Sequence, residues 1–177
     1  MKKAVILSMI FTAFACKNSS QKTVENAYDE QQTISYEGIA EKSFDELFTA
    51  IQPEEIGESP ITLASKTNIA ITAGHADDYN TMMASDGGIG VLIGKPVTFC
   101  GLRGSRYTFE VLLKDSVYTF SFFDERFRDD FMKFGMQPGR DSQKMNETAL
   151  TAVSTPSGLM TFKEARLVIE CRLAQTH

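Results

Sequence analysis

The chain has 177 residues but no tryptophan, two histidines, three cysteines and five prolines. Each scarcity removes a class of function. His75 and the terminal His177 stand without any paired Cys/His spacing, so the ligand set of a zinc site is missing. A Ser-His-Asp triad would have to draw His75 from a turn-like stretch, and no G-x-S-x-G elbow is present. Lysine and arginine number 18 against 23 acidic residues, for a formal net charge of -5. The basic excess of a surface that tracks nucleic-acid phosphates is therefore lacking, and no nucleic-acid partner is expected. Gly88-x-Gly90-x-x-x-Gly94 is followed by Lys95-Pro96 and a β-type run instead of a helix, which excludes a Rossmann unit. The acidic pairs Asp77-Asp78 and Asp129-Asp130 read as solvated turn and helix faces. What the chain does have is 13 phenylalanines, enough to fill most of an aromatic core.

The N-terminus reads as an address. Lys2 and Lys3 precede an apolar run from Ala4 to Ala15, too short to span a bilayer as a helix and right for a signal peptide. Ala13-Phe14-Ala15 puts small residues ahead of Cys16, the pattern of a bacterial lipoprotein signal in which Cys16 is lipidated; the alternative is simple secretion by cleavage after Ala15. Residues 1–15 are thus expected to be a leader, and the mature protein to be exported, membrane-anchored or periplasmic. Residues 16–42 are polar without a sustained apolar period and read as a tether. Residues 43–177 are expected to form the domain, read as either shortened at its C-terminal end or given by an incomplete sequence. Cys100 and Cys171 lie in apolar strand-like contexts, VTFCGL and LVIECRL, and are expected to be buried free thiols.

Within the domain, Ser43 and Glu46 have capping-box spacing, with Phe44, Leu47, Phe48 and Ile51 on one helical face up to Pro53. Ile61 to Gly74 alternates like two strands or one kinked strand. His75 to Asn80 reads as a turn, and Gly87-Gly88-Ile89-Gly90 as another. A short helix is expected near Ser105–Lys114 and a strong strand over Ser116–Phe123. Glu125–Met136 forms a helix with Phe127, Phe131 and Phe134 on one face. A turn follows at Pro138–Ser142, then a short helix opening at Ser142, and a long final strand from Leu159 to Leu173. The sum predicts an α+β, mainly β domain: a β-barrel with short inserted helices.

Asn80 to Thr108 carries the chemistry. Thr81, Ser85 and Thr108 offer hydroxyls, and Ala84, Gly87 and Gly88 let a flat ring approach the main chain. Arg103 and Arg106 stand where a helix begins, a position that favours a phosphate. The same residues also suit a glycine-rich hairpin followed by surface arginines, and residue types alone leave both readings open.

Several collinear segments go further. The run from Ile71 to Leu112, with SFFDERFRD at Ser121–Asp129, GRDSQKM at Gly139–Met145 and FKEARLVIECR at Phe162–Arg172, resembles the flavin reductase-like family, including flavoredoxin. The likeness covers roughly Ser43 to Arg172. It implies an FMN-binding split β-barrel, a homodimer, and noncovalent FMN that exchanges electrons with a nicotinamide cofactor, NADH or NADPH, or with a redox protein partner. It implies that Asn80, Thr81, Met82, Met83, Ala84 and Ser85, continuing through Asp86 and Gly87, line the isoalloxazine and ribityl chain. Arg103, Arg106, Tyr107 and Thr108 hold the phosphate. Ser121 and Phe122 border the pocket, Gly139-Arg140-Asp141 forms a rim loop, and no side chain is required as catalytic acid or base. Where relatives carry tryptophan after the A-S pair, this chain has Asp86. The resemblance thus implies either an FMN-dependent oxidoreductase or an exported flavin-binding carrier without efficient turnover.

Overall fold

The structure, a computed structural model, describes residues 3–10, 35–76, 78–136 and 147–174. Ser43 opens α1 (Phe44–Leu47), and the Glu46 carboxylate accepts from both its backbone N–H (2.7 Å) and its hydroxyl (2.6 Å). The helix is one turn long. Phe48 leaves it for strand β2 (Phe48–Ala50), so Phe48 and Ile51 are not on the helical face expected for them. Strand β1 (Lys3–Ile10) pairs in parallel with β2.

The first half of the Ile61–Gly74 stretch is helical. Ser59 and Pro60 supply an N-cap and a pre-set first position, and α2 (Pro60–Lys66) buries Leu63. Strand β3 (Asn68–His75) then meets β4 (Asp78–Ala84) in an antiparallel hairpin, so the expected turn at His75–Asn80 shrinks and its ends are strand.

The predicted turn at Gly87–Gly90 is also strand. β5 (Gly87–Leu92) pairs with β6 (Lys95–Cys100), and the reversal lies at Ile93-Gly94 instead. Both turn residues have positive φ, 49° and 70°, the geometry of a tight right-twisting hairpin turn. Ile93 is β-branched, and the left-handed region costs such a residue about 1–2 kcal/mol. The glycines have a steric reason within the hairpin. A Cβ at Gly87 would lie 2.7 Å from the Phe99 carbonyl oxygen, and one at Gly88 would lie 3.1 Å from the Phe99 ring.

Helix α3 (Tyr107–Asp115) and strand β7 (Val117–Phe123) fall where the sequence puts them, and α4 (Arg128–Met136) buries Phe131 and Phe134. The Pro138–Ser142 turn, most of the helix expected from Ser142, and the Gly139-Arg140-Asp141 rim loop lie outside the described residues. The long last strand is two: β9 (Met160–Phe162), paired with β8 (Ala152–Ser154), and β10 (Leu167–Arg172).

The main sheet has six strands in the order β2-β1-β10-β7-β3-β4, parallel on both sides of β1 and antiparallel elsewhere. It is not closed into a barrel, which corrects the expected split β-barrel while leaving the α+β class. Its two edges, β2 and β4, are not joined to each other. Ser85 and Asp86 instead turn the chain off the sheet, and the Gly101 N–H donates to the Asp86 carbonyl (3.0 Å), tying the base of the β5–β6 hairpin to itself. That hairpin forms its own two-stranded sheet.

Strand alternation divides the core between two faces. On one, Ile69, Ile71, Phe120, Phe122 and Ile169 pack with Leu63, Val111, Leu112 and Ile89 from α2, α3 and the hairpin. On the other, Ala70, Phe123 and Val168 pack with Phe44, Phe131, Phe134 and Phe162. The segment read as the front of a leader is β1, between β2 and β10. Lys3 is buried there, donating to the Lys163 carbonyl (2.6 Å) over the Tyr36 ring (4.6 Å), and burial lowers its amine to about 8. Removal of residues 1–15 would take β1 out of the sheet and unpair one edge of β10. Across the domain, Asp124 accepts from Tyr36 (2.7 Å) and pairs with Arg166 (3.3 Å), whose other end meets Glu58 (2.8 Å).

Candidate functional site

β4 is an edge strand of the main sheet, and its alternation splits the segment expected to line a ring. Met82 and Ala84 face α3 and the hairpin, in the core with Val111 and Leu112. Asn80, in step with them, reaches the same side: its buried amide donates to the buried Thr108 hydroxyl in the first turn of α3 (2.5 Å). Thr81 and Met83 face the opposite side. Thr81 is fully buried with its hydroxyl 2.9 Å from that of Thr72, and Met83 packs toward α4. Ser85 and Asp86 are exposed where the chain leaves the sheet, and Gly87 is half-buried at the hairpin base.

The arginine turn lies just beyond that base. Gly87 is paired with Cys100 across the hairpin, and Arg103 follows three residues later, a span of roughly 10 Å of extended chain. The Arg106 N–H donates to the Arg103 carbonyl (3.0 Å), which folds the turn and sets Arg106 as the N-cap of α3. No side chain caps this end, and the Phe109 N–H donates to the Arg106 carbonyl (2.9 Å), so what the helix start offers an anion is the positive end of its dipole. Arg103 is exposed. Arg106 is half-buried and donates to the Gly135 carbonyl at the C-terminal end of α4 (3.3 Å). Tyr107 packs half-buried against the core.

Ser121 and Phe122 do not reach the surface. Ser121 pairs with Thr161 (3.0 Å) beneath β9, and Phe122 is fully buried on the other face. Sequence reasoning also missed a groove of about 300 Å³ between α2 and the hairpin. Pro60, Ile61 and Ala64 form one wall, Phe99 the other, and Gly87 and Gly88 the main-chain floor. The Phe99 ring lies against Gly88, where no Cβ intervenes. The signal for it was present in Ser59-Pro60, which marks a helix start that brings α2 across β5.

Cys100 and Cys171 are buried and unbridged, and burial pushes both thiols up to about 12. They are poor nucleophiles at neutral pH. Chemically, the arginine turn offers the exposed Arg103 guanidinium and the positive end of a helix dipole to an anion, and the α2–hairpin groove separately offers an apolar slot to a flat group.

No protein-family model and no curated protein sequence matches the chain. Solved structures do. One is an FMN-binding domain of a flavin reductases-like enzyme from Shewanella baltica, at 12% identity over 65% of this chain and 63% of that one, with a TM-score of 0.55. Another is flavoredoxin from Methanosarcina acetivorans, at 18% identity over 63% and 59%, also with a TM-score of 0.55. The chain has the flavin reductase-like, flavoredoxin-like fold. An FMN-binding protein from Thermus thermophilus with bound p-hydroxybenzaldehyde matches at 18% identity over 63% of this chain and 62% of that one, with a TM-score of 0.56. The flavoredoxin-like fold here covers less than two thirds of each of these structures' own lengths.

Proposed function

We propose that this chain is a flavoprotein of oxidoreductase type that holds FMN noncovalently. The observation that carries the reading is the Asn80–Thr108 hydrogen bond, which locks strand β4 to the head of α3 beside the arginine turn. Arg103 and Arg106, at the positive end of the α3 dipole, bind the phosphate by charge and guanidinium N–H donation. The groove between α2 and the hairpin supplies an apolar slot for a flat ring, with Pro60, Ile61 and Ala64 on one side and Phe99 on the other. Bound FMN supplies the redox chemistry, accepting and releasing electrons at its ring. The chain itself orients that ring and excludes water from one side; none of its side chains is assigned as an acid or base.

The electrons come from NADH, NADPH or a redox protein partner, and the homodimer implied by the sequence resemblance is kept as part of the reading. Export as a lipoprotein through Cys16, a form of the protein that lacks β1, puts it outside the cytoplasm, where a protein donor is the better supply. One residue favours the quieter alternative of a flavin carrier. Asp86 is exposed at the hairpin base next to Gly87, and its carboxylate opposes the negative charge of a reduced flavin.

Titration of FMN with the purified protein tests the reading by quenching of flavin fluorescence. Native protein quenches it, and the Arg103→Ala/Arg106→Ala double variant does not. A native protein that leaves FMN emission unchanged sinks the proposal. Binding without reduction by NADH or NADPH selects the carrier or the protein-donor form.

A further inference from the structure

The β5–β6 hairpin ends in an apolar tip that the fold does not cover. Val91 is 76% exposed and Ile93 92%, with Leu92 between them also exposed. The base of the same hairpin is well held, with Ile89 and Val97 buried and Asp86 tied to Gly101. A rigid stem therefore presents three consecutive aliphatic side chains to the outside. Ile93 does so from a left-handed backbone conformation (φ 49°), where Asn or Gly would sit without strain. The apolar side chain is kept at the tip against both solvent and backbone preference.

The charge pattern indicates the occupant. Between Gly87 and Leu102 the single charged residue is Lys95, exposed directly behind the turn, in a chain whose net charge is -5. An aliphatic triad followed by a lone cation matches an anionic phospholipid surface, with the aliphatic groups in the interfacial layer and the ammonium among the headgroup phosphates. We infer that the Val91-Leu92-Ile93-Gly94-Lys95 tip is a membrane-surface contact that inserts into anionic lipid.

Its size suits a second contact and not a sole anchor, since stable attachment generally takes two signals. The lipidated Cys16 read from the sequence supplies the first. Residues 35–42 pack on the domain, with Tyr36 bonded to Asp124 and Ile39 buried, so Cys16 is joined to it through residues 17–34, and attachment at Cys16 raises the effective concentration of the tip at the bilayer. The inference uses the export reading only for this proximity and does not depend on flavin binding.

The absence of tryptophan makes the test direct. Ile93→Trp and Val91→Trp each place the sole tryptophan of the full chain at the tip, and Leu113→Trp, on the exposed side of α3, serves as the control. With vesicles containing phosphatidylglycerol, the two tip reporters shift to the blue and are quenched by doxyl-labelled lipid, while the control is not. Binding by the N-terminal segment cannot mimic this, because the readout is at the tip. A tip reporter that keeps water-exposed emission on vesicle-bound protein overturns the inference. A blue shift that appears without lipid and grows with protein concentration also overturns it, assigning the tip to a second copy of the chain. Ile93→Asn suits the turn and keeps the fold; in the unlabelled chain it lowers vesicle affinity several-fold, and Lys95→Glu lowers it further on anionic but not on phosphatidylcholine vesicles. Equal affinity of native and Ile93→Asn chains counts against insertion.

Discussion

The Asn80 amide and the Thr108 hydroxyl form a buried hydrogen bond between residues 28 apart in sequence, fastening the edge strand β4 to the first turn of α3. Removing one partner strands the other in the interior. Asn80→Ala should therefore lower stability by about 1–3 kcal/mol, measured by urea unfolding. A double-mutant cycle with Thr108→Val should recover part of that loss. Strict additivity of the two would show that the bond contributes nothing of its own.

The two arginines are expected to separate in the absence of any ligand. Arg106 reaches the Gly135 carbonyl, whereas Arg103 is exposed. Arg106→Ala removes a cation from the C-terminal end of α4, an interaction of about 0.3–1 kcal/mol. Amide exchange over the last turn of α4 should quicken in Arg106→Ala and stay native in Arg103→Ala. Equal exchange in both would detach α4 from the arginine turn.

Ile93 should be improvable. Replacing it with Asn relieves the left-handed strain without touching a buried contact, since the side chain is 92% exposed. Thermal unfolding of Ile93→Asn is expected to show a gain of about 1 kcal/mol. A loss of stability would mean that the exposed side chain packs somewhere in solution.

The buried thiols set a pH dependence with a definite sign. Cys100 and Cys171 titrate near 9 when unfolded and are pushed up to about 12 by burial. The folded state binds more protons between those values, so their contribution is complete below pH 9 and is lost as pH rises toward 12. Lys3 acts in the opposite direction. Burial lowers it from 10.5 to about 8, so its unfavourable contribution holds below pH 8 and fades toward 10.5. Comparing native protein with Cys100→Ala/Cys171→Ala removes the Lys3 effect, which both share. The variant should lose stability less steeply above pH 9, and a parallel decline would contradict the assignment.

Asp86 offers a test of the flavin reading itself. Asp86→Asn removes a carboxylate beside Gly87. It should raise the reduction potential of bound FMN, in the direction that favours the reduced form. An unchanged potential would place the ring away from the hairpin base.

Where local sequence carried the whole cause, it determined the outcome. The Ser43–Glu46 capping box, the start of α3 beyond Arg106, the aromatic strand ending at Phe123 and the Phe131/Phe134 face of α4 all depend on neighbours a few residues away. The collinear motifs likewise pointed to the fold that the solved structures share. Tertiary structure decided the rest, because pairing and closure depend on partners far along the chain. Three glycines near residue 88 read as a turn until Cys100 and Phe99 are seen to pair with them. The alternating Ile61–Gly74 run becomes helix and strand once α2 packs across β5. Asn80 and Thr81, adjacent in sequence, fall on opposite faces of the sheet, one bound to Thr108 and the other to Thr72. The sheet stays open with β2 and β4 as its two edges, while the β5–β6 hairpin, closed at its base by the Gly101–Asp86 bond, forms a separate sheet. Local chemistry chose the residues of the candidate site, while long-range register determined which of them meet.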